Sequence, residues 1–95
     1  MALLPPDAVL VRNGRLSWRV IDEEAVILFP DAGTLHRLNG TGTRAWELLD
    51  GRSSIEGVSA SLAGEFDVAL AQAIADVQEL ATELIAAGLA EVVTS

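Results

Sequence analysis

The chain of 95 residues has no cysteine, no lysine and no tyrosine, and its one histidine is His36. Each absence removes a class of chemistry. Without cysteine there is neither a disulfide framework nor a thiolate metal site. A lone histidine leaves no second imidazole to share a metal. A Ser-His-Asp triad would have to draw on His36, within a strand-like segment, and no strained nucleophile turn is in view. Asn39-Gly40-Thr41-Gly42 is loosely glycine-rich at the start of a helix, where phosphates bind, but the Walker lysine and the longer glycine spacing are missing. Asp22-Glu23-Glu24, three adjacent acids between strands, reads as a solvated turn. The sequence therefore assigns no catalytic residue, no metal ligand and no cofactor. Long hydrophobic runs are also lacking. The longest, Ala25 to Phe29, falls far short of the roughly 20 residues that cross a bilayer. The N-terminal MALLPPDAV has no basic n-region and carries Pro-Pro where an apolar h-region would run, so a cytoplasmic protein is expected.

Positive charge is scarce and unevenly placed. All six arginines lie within residues 1–52, opposite seven acids, whereas residues 53–95 carry seven acids and no base. Nucleic-acid binding needs cations to neutralise phosphates, and an anionic membrane surface repels such a half, so neither is an expected partner. An acidic half can attract a basic peptide; a solvated helix face that keeps the protein soluble has the same composition. A hydrophobic content of 51% excludes disorder. The length fits one domain over residues 1–95 with one modest core, and residues 1–8 are expected to be flexible.

Val9 and Val11 alternate with other residues and lead into Asn13-Gly14, a strong short hairpin signal. Leu16, Trp18 and Val20 then alternate with Ser17, Arg19 and Ile21, the pattern of a half-buried strand. Ala25 to Phe29 is rich in β-branched residues and reads as the most buried strand. Pro30-Asp31-Ala32-Gly33 reads as a turn, with Gly33 available for positive φ. Thr34 to Leu38 returns as a third strand, antiparallel to the second, and its polar residues suit a sheet edge.

Three helices are expected next. Asn39 is a suitable N-cap for a helix over Gly40 to Leu49, and Gly51 occupies a C′ position. Ser53 to Glu56 has capping-box spacing, with Ser53 as N-cap, and opens a helix that presents Ile55, Val58, Leu62 and Phe66. The third helix spans about Ala69 to Ala87 and stops at Gly88. Its core stripe is Leu70, Ile74, Val77, Ala81 and Leu84, and Asp76, Glu79 and Glu83 cover the opposite side. Beside the stripe lie Ala71, Ala75, Gln78, Thr82 and Ala86. These are either helix-forming filler or the floor of a shallow trough beside a ridge of Ile74 and Ile85. Leu89 to Val93 either pairs briefly with the sheet or extends loosely.

The sum is an α+β, winged-helix-like fold: a three-stranded antiparallel sheet followed by three helices. A recognition helix for DNA would come from residues 54–65 or 69–87, which hold acids and no base. What remains is recognition of a peptide by strand addition, in which backbone hydrogen bonds supply affinity and pockets supply specificity. Thr34 to Leu38 is the candidate edge, and the third helix with its trough is the candidate wall.

Val26-Ile27-Leu28-Phe29-Pro30-Asp31, Leu38-Asn39, Trp46-Glu47-Leu48-Leu49-Asp50-Gly51, Ile55, Leu62 and Asp76-Val77 together resemble the coenzyme PQQ synthesis protein D (PqqD) family, over about residues 16–92. That resemblance implies a winged-helix-like peptide chaperone, or RiPP recognition element. Such domains bind the leader of a ribosomally made precursor peptide and present it to a modifying enzyme, a radical SAM protein in PQQ biosynthesis. The resemblance also implies that the leader joins the third strand and lies against the third helix. On this sequence the edge is then Thr34, Leu35, His36 and Arg37. The wall, taken from helix geometry, is Ile74, Val77, Gln78, Ala81 and Ile85. The alternative is a structural or regulatory interaction module that docks directly on an enzyme or dimerises through the small stripe of the third helix.

Overall fold

A computed structural model describes residues 4–29 and 33–93. The elements in chain order are β1 (Val9–Arg12), β2 (Ser17–Ile21), β3 (Glu24–Phe29), β4 (Thr34–Leu38), α1 (Gly40–Leu48), β5 (Asp50–Ser54), α2 (Ile55–Phe66), α3 (Leu70–Ala86) and β6 (Ala90–Val92). The α+β expectation holds, with antiparallel strands and three helices among the described residues. The single sheet does not. Two three-stranded sheets form, in the orders β2-β3-β4 and β5-β1-β6.

The β2-β3-β4 meander arises as the alternation suggests. Trp18, Ile27 and His36 stand in register across the three strands, as do Val20, Ala25 and Leu38. Ala25 and Ile27 are fully buried, so this set of residues faces the core. Pro30 to Ala32, where the sequence places a turn, lie outside the described residues. Beyond them Gly33 takes φ +66° and its amide donates to the Phe29 carbonyl at 2.8 Å.

Asn13-Gly14 does not join β1 to β2 as a hairpin. β1 pairs instead with β5 and β6, drawn from residues 50–54 and 90–92. The Asn13 carbonyl and side-chain oxygen accept from the amides of Leu16 (3.2 Å) and Arg15 (3.0 Å). Its own amide and side-chain nitrogen donate to the carbonyls of Leu89 (2.9 Å) and Gly88 (3.0 Å). The turn thus hands the chain from one sheet to the other, pinned by the end of α3. The signal for a tight turn was real. The partner of the preceding strand was set by distant segments, which local patterning does not reveal.

β5 is the element the sequence did not announce. Asp50-Gly51-Arg52-Ser53-Ser54 has turn composition, yet it pairs with β1 through a register shift between Val9 and Val11. Gly51 serves that irregularity with φ +82°, where a β-carbon would stand 3.4 Å from Val11 Cγ2. It is not the C′ residue of α1. The N-cap of α2 is Ser54, one residue later than the capping-box reading, and its hydroxyl accepts from the Gly57 amide at 3.0 Å. Ser53 lies in β5 instead. Its amide and that of Arg52 both donate to Asp50 Oδ1 at 2.9 Å, which holds the Asp50 carboxyl below its usual range.

Leu4 to Ala8, expected to be flexible, are tied to two helices. The carbonyls of Pro6 and Ala8 accept from the amides of Glu56 and Ile55 at 2.8 Å, satisfying open donors at the start of α2. Gln78 Nε2 of α3 donates to the Leu4 carbonyl at 2.8 Å.

The core lies between the sheets and the helices, with Leu10, Ile27, Trp46, Ile55, Val58 and Leu89 fully enclosed. Burying each such side chain contributes about 1.5–3 kcal/mol. Trp46 meets Trp18 edge to face at 5.8 Å, and the Arg12 guanidinium sits 5.1 Å from the Trp18 ring centre while donating to the carbonyls of Trp46 and Glu47 at 2.8 Å. The α2 and α3 stripes are narrower than their spacing suggests. Ile55, Val58 and Leu62 are buried, but Phe66 is exposed; Val77, Ala81 and Leu84 are buried, but Leu70 is exposed, Ile74 is half-buried and Ala73 takes the inward place.

Candidate functional site

β4 forms one margin of its sheet. It pairs with β3 over Thr34 to Leu38, and no described strand pairs with its other side. That side carries unpaired backbone donors and acceptors, the template for an added strand. Thr34, His36 and Leu38 lie on the core side, opposite Phe29, Ile27 and Ala25. His36 is half-buried and its ring meets Phe29 at 6.4 Å. Leu35 and Arg37 project from the outer face. Leu35 is 61% exposed, and Arg37 reaches Glu24 at 3.1 Å in a solvent-facing pair worth less than about 1 kcal/mol.

α1 fixes the Leu38 end of this strand. The Asn39 side chain accepts from the Gly42 amide at 3.0 Å as N-cap. The buried Thr43 hydroxyl accepts from the Ala25 amide at 2.7 Å and donates to the Leu38 carbonyl at 3.0 Å. Together these bonds tie β3, β4 and α1 at one point.

Leu80 of α3 and Gly88 just beyond the helix approach opposite ends of the β3-β4 pair. A β-carbon on Gly42 would lie 3.6 Å from Leu38 Cβ and 4.0 Å from Leu80 Cδ2, which places Leu80 at the Leu38 end. A β-carbon on Gly88 would lie 3.4 Å from Phe29 Cζ, at the other end, where Phe29 opposes Thr34.

A pocket of about 250 Å³ opens where β4 ends. Ala45, Leu62, Ala73 and Val77 floor it, and Phe66, Val68 and Leu80 wall it. Asn39, Thr41 and Gly42 form its lip toward β4, and Asp76, Glu79 and Glu83 rim the far side. Asp76 accepts from Gln72 at 2.9 Å, and no cation of the described residues pairs with any of the three acids.

The structure divides the residues singled out in the sequence. Thr34, Leu35, His36 and Arg37 share the open strand. Val77 and Ala81 are core, only 2% and 1% exposed, so they do not form a wall surface. Gln78 is engaged by Leu4, and Ile85 packs partly buried against the core. Ile74 is half-buried, and it does not line the pocket beside β4. The α3 residues that line the pocket and keep some exposure are instead Asp76, Glu79, Leu80 and Glu83. They lie nearly half a turn from the expected wall, and only the position of Leu4 shows which side of the helix is already taken. That contact also interrupts the proposed dimer stripe: Ala71, Ala75 and Ala86 are exposed, while Gln78 and Thr82 are half-buried. No group of three His, Cys, Asp or Glu side chains converges to hold a metal among the described residues, and no described helix is long and apolar enough to cross a membrane.

An open sheet-edge strand and an apolar pocket near its end belong to a small α+β domain of antiparallel strands and three helices among the described residues. The coenzyme PQQ synthesis protein D (PqqD) profile matches residues 24–90, and the chain belongs to that family. Three solved structures share the fold. TbiB1 in complex with the TbiA(beta) leader peptide is 24% identical with a TM-score of 0.78, covering 90% of this chain and 99% of that one. Lasso peptide synthetase B1 complexed with the leader peptide is 26% identical with a TM-score of 0.77, covering 86% and 96%. The PqqD truncation of Methylobacterium extorquens PqqCD, a functional and stand-alone RiPP recognition element, is 20% identical with a TM-score of 0.76, covering 95% of each. No curated protein matches the sequence.

Proposed function

We propose that the chain is a non-catalytic leader-peptide-binding module. It captures the leader of a ribosomally made precursor as an added strand on β4 and presents the rest of the peptide to a modifying enzyme. The observation that carries this reading is the unpaired side of β4, Thr34 to Leu38, ending at an apolar pocket. Strand addition supplies backbone hydrogen bonds without demanding a particular sequence, and the pocket selects among side chains. Two of the similar structures were solved with leader peptides bound, which supports the same use here. The strand residues are Thr34, Leu35, His36 and Arg37, and the helix wall is Asp76, Leu80 and Glu83. The partner enzyme is a peptide-modifying one, of the radical SAM class if the pathway follows PQQ biosynthesis.

The test is amide chemical-shift mapping of the isotopically labelled chain against overlapping synthetic leader segments of precursor peptides encoded near its gene. The expected result is saturable shifts at residues 34–38 and along Asp76 to Glu83. A leader that binds tightly while leaving both segments unmoved would overturn the assignment of the site.

A further inference from the structure

The pocket at the Leu38 end combines two features that a purely apolar anchor would not need. Its floor and walls are aliphatic and aromatic, yet one whole rim is carboxylate: Asp76, Glu79 and Glu83, on successive turns of α3. Its volume of about 250 Å³ lies below the roughly 300–1,000 Å³ of small-molecule sites and suits a single side chain. All three acids are exposed, and none has a cation partner among the described residues. Elsewhere the protein does pair such acids. Glu65 and Glu47 both engage Arg44, and Glu24 engages Arg37. The rim acids, like most acids among the described residues, carry no cation partner and present their charge to solvent at the pocket mouth.

We infer that this pocket receives an arginine or lysine of the bound leader. The aliphatic stem packs against Phe66, Val68 and Leu80, and the charged head reaches the carboxylates of Asp76 and Glu83. Long basic side chains bury their stems on apolar surface while keeping the head solvated at a polar margin. The Asn39-Thr41-Gly42 lip admits the side chain from the strand edge. Gly42 leaves that lip low, since a β-carbon there would stand 3.1 Å from Asn39 Oδ1. The inference rests on peptide capture at β4 and adds the class of side chain that β4 delivers to its end. It also gives the charge asymmetry of the chain a place to act: residues 53–95 contain no base, and α3 turns its acids toward the site.

The experiment uses positional-scanning pools of fluorescein-labelled twelve-residue peptides, each pool fixed at one position as Arg, Lys, Gln, Leu or Glu. Binding is read by fluorescence anisotropy for wild type and for the exposed, near-isosteric double variant Asp76→Asn/Glu83→Gln. At one position the Arg and Lys pools are expected to bind about fivefold more tightly than the Gln pool, the scale of a solvent-facing ion pair. The double variant should remove that preference, so that its Arg and Gln pools bind alike. Raising salt should weaken the preference in wild type. Equal binding of Arg and Gln pools, together with shifted β4 amides, overturns the basic-anchor inference and leaves strand capture standing. A preference that persists in the double variant overturns it as well. If no pool binds, or binding leaves the β4 amides unshifted, both the inference and the capture reading fall.

Discussion

The backbone amide of Ala25 donates to the hydroxyl of Thr43 at 2.7 Å, deep in the core, and the same hydroxyl donates to the carbonyl of Leu38 at 3.0 Å. One side chain of α1 thereby fixes the start of β3 and the end of β4. Thr43→Val keeps the shape and removes both bonds, leaving the Ala25 amide buried without a partner. A loss of about 1–3 kcal/mol is expected from urea denaturation. Thr43→Ser should recover most of it, because the hydroxyl is restored.

The start of α2 offers a direct comparison between neighbours. Ser54 caps the helix by accepting from the Gly57 amide, whereas the backbone of Ser53 is held by Asp50. Ser54→Ala should lower stability by about 1 kcal/mol. Ser53→Ala should change it by no more than about 0.5 kcal/mol. Equal losses on thermal or chemical denaturation would contradict the position of the cap.

Gly88 ends α3 with φ +77° and lies against Phe29. Gly88→Ala should destabilise by about 1–2 kcal/mol, the cost of a left-handed backbone with a β-carbon. A β-carbon there would meet Phe29 Cζ at 3.4 Å, an ordinary contact, so the backbone conformation carries the cost. Gly64→Ala, in open space within α2, is the control and should be stabilising by up to about 1 kcal/mol.

Asp50 should give a recognisable pH dependence. Hydrogen bonds from the Ser53 and Arg52 amides lower its carboxyl pKa in the folded state. A depressed folded value stabilises fully above the unfolded pKa of about 3.9 and is lost as pH falls through the folded one. The difference in melting temperature between wild type and Asp50→Ala is therefore expected to be constant from neutral pH to about pH 5, and to narrow below about pH 4. A difference that widened on acidification would contradict the geometry of the β5 turn.

Much of the frame was legible because it follows local rules. Asn39 before a 3.6-residue apolar period gives α1 its start, and the alternation of Trp18 and Val20 against Ser17 and Arg19 gives β2. The second sheet was not legible. Its three strands come from residues 9–12, 50–54 and 90–92, and their pairing is held by long-range backbone bonds. Asn13-Gly14 illustrates the limit: the turn exists, but the sequence does not say which sheet lies beyond it. The strand edge was visible in the polar residues of β4. On α3, Gln78 and Ile85 look available in the sequence, but the Leu4 carbonyl accepts from Gln78 and Ile85 packs partly buried against the core.

The small sheet has a practical consequence. Leu10 stands in register with Val92, and the Val93 amide donates to the Val9 carbonyl at 2.8 Å, so segments near the two extremities of the sequence lie side by side. They do so in the sheet that β4 does not share. A short linker joining them, with new ends opened at Gly14 between the two sheets, should give a circularly permuted protein whose β4 edge is intact. An affinity tag or surface tether placed at either extremity would likewise leave Thr34 to Leu38 facing the solution.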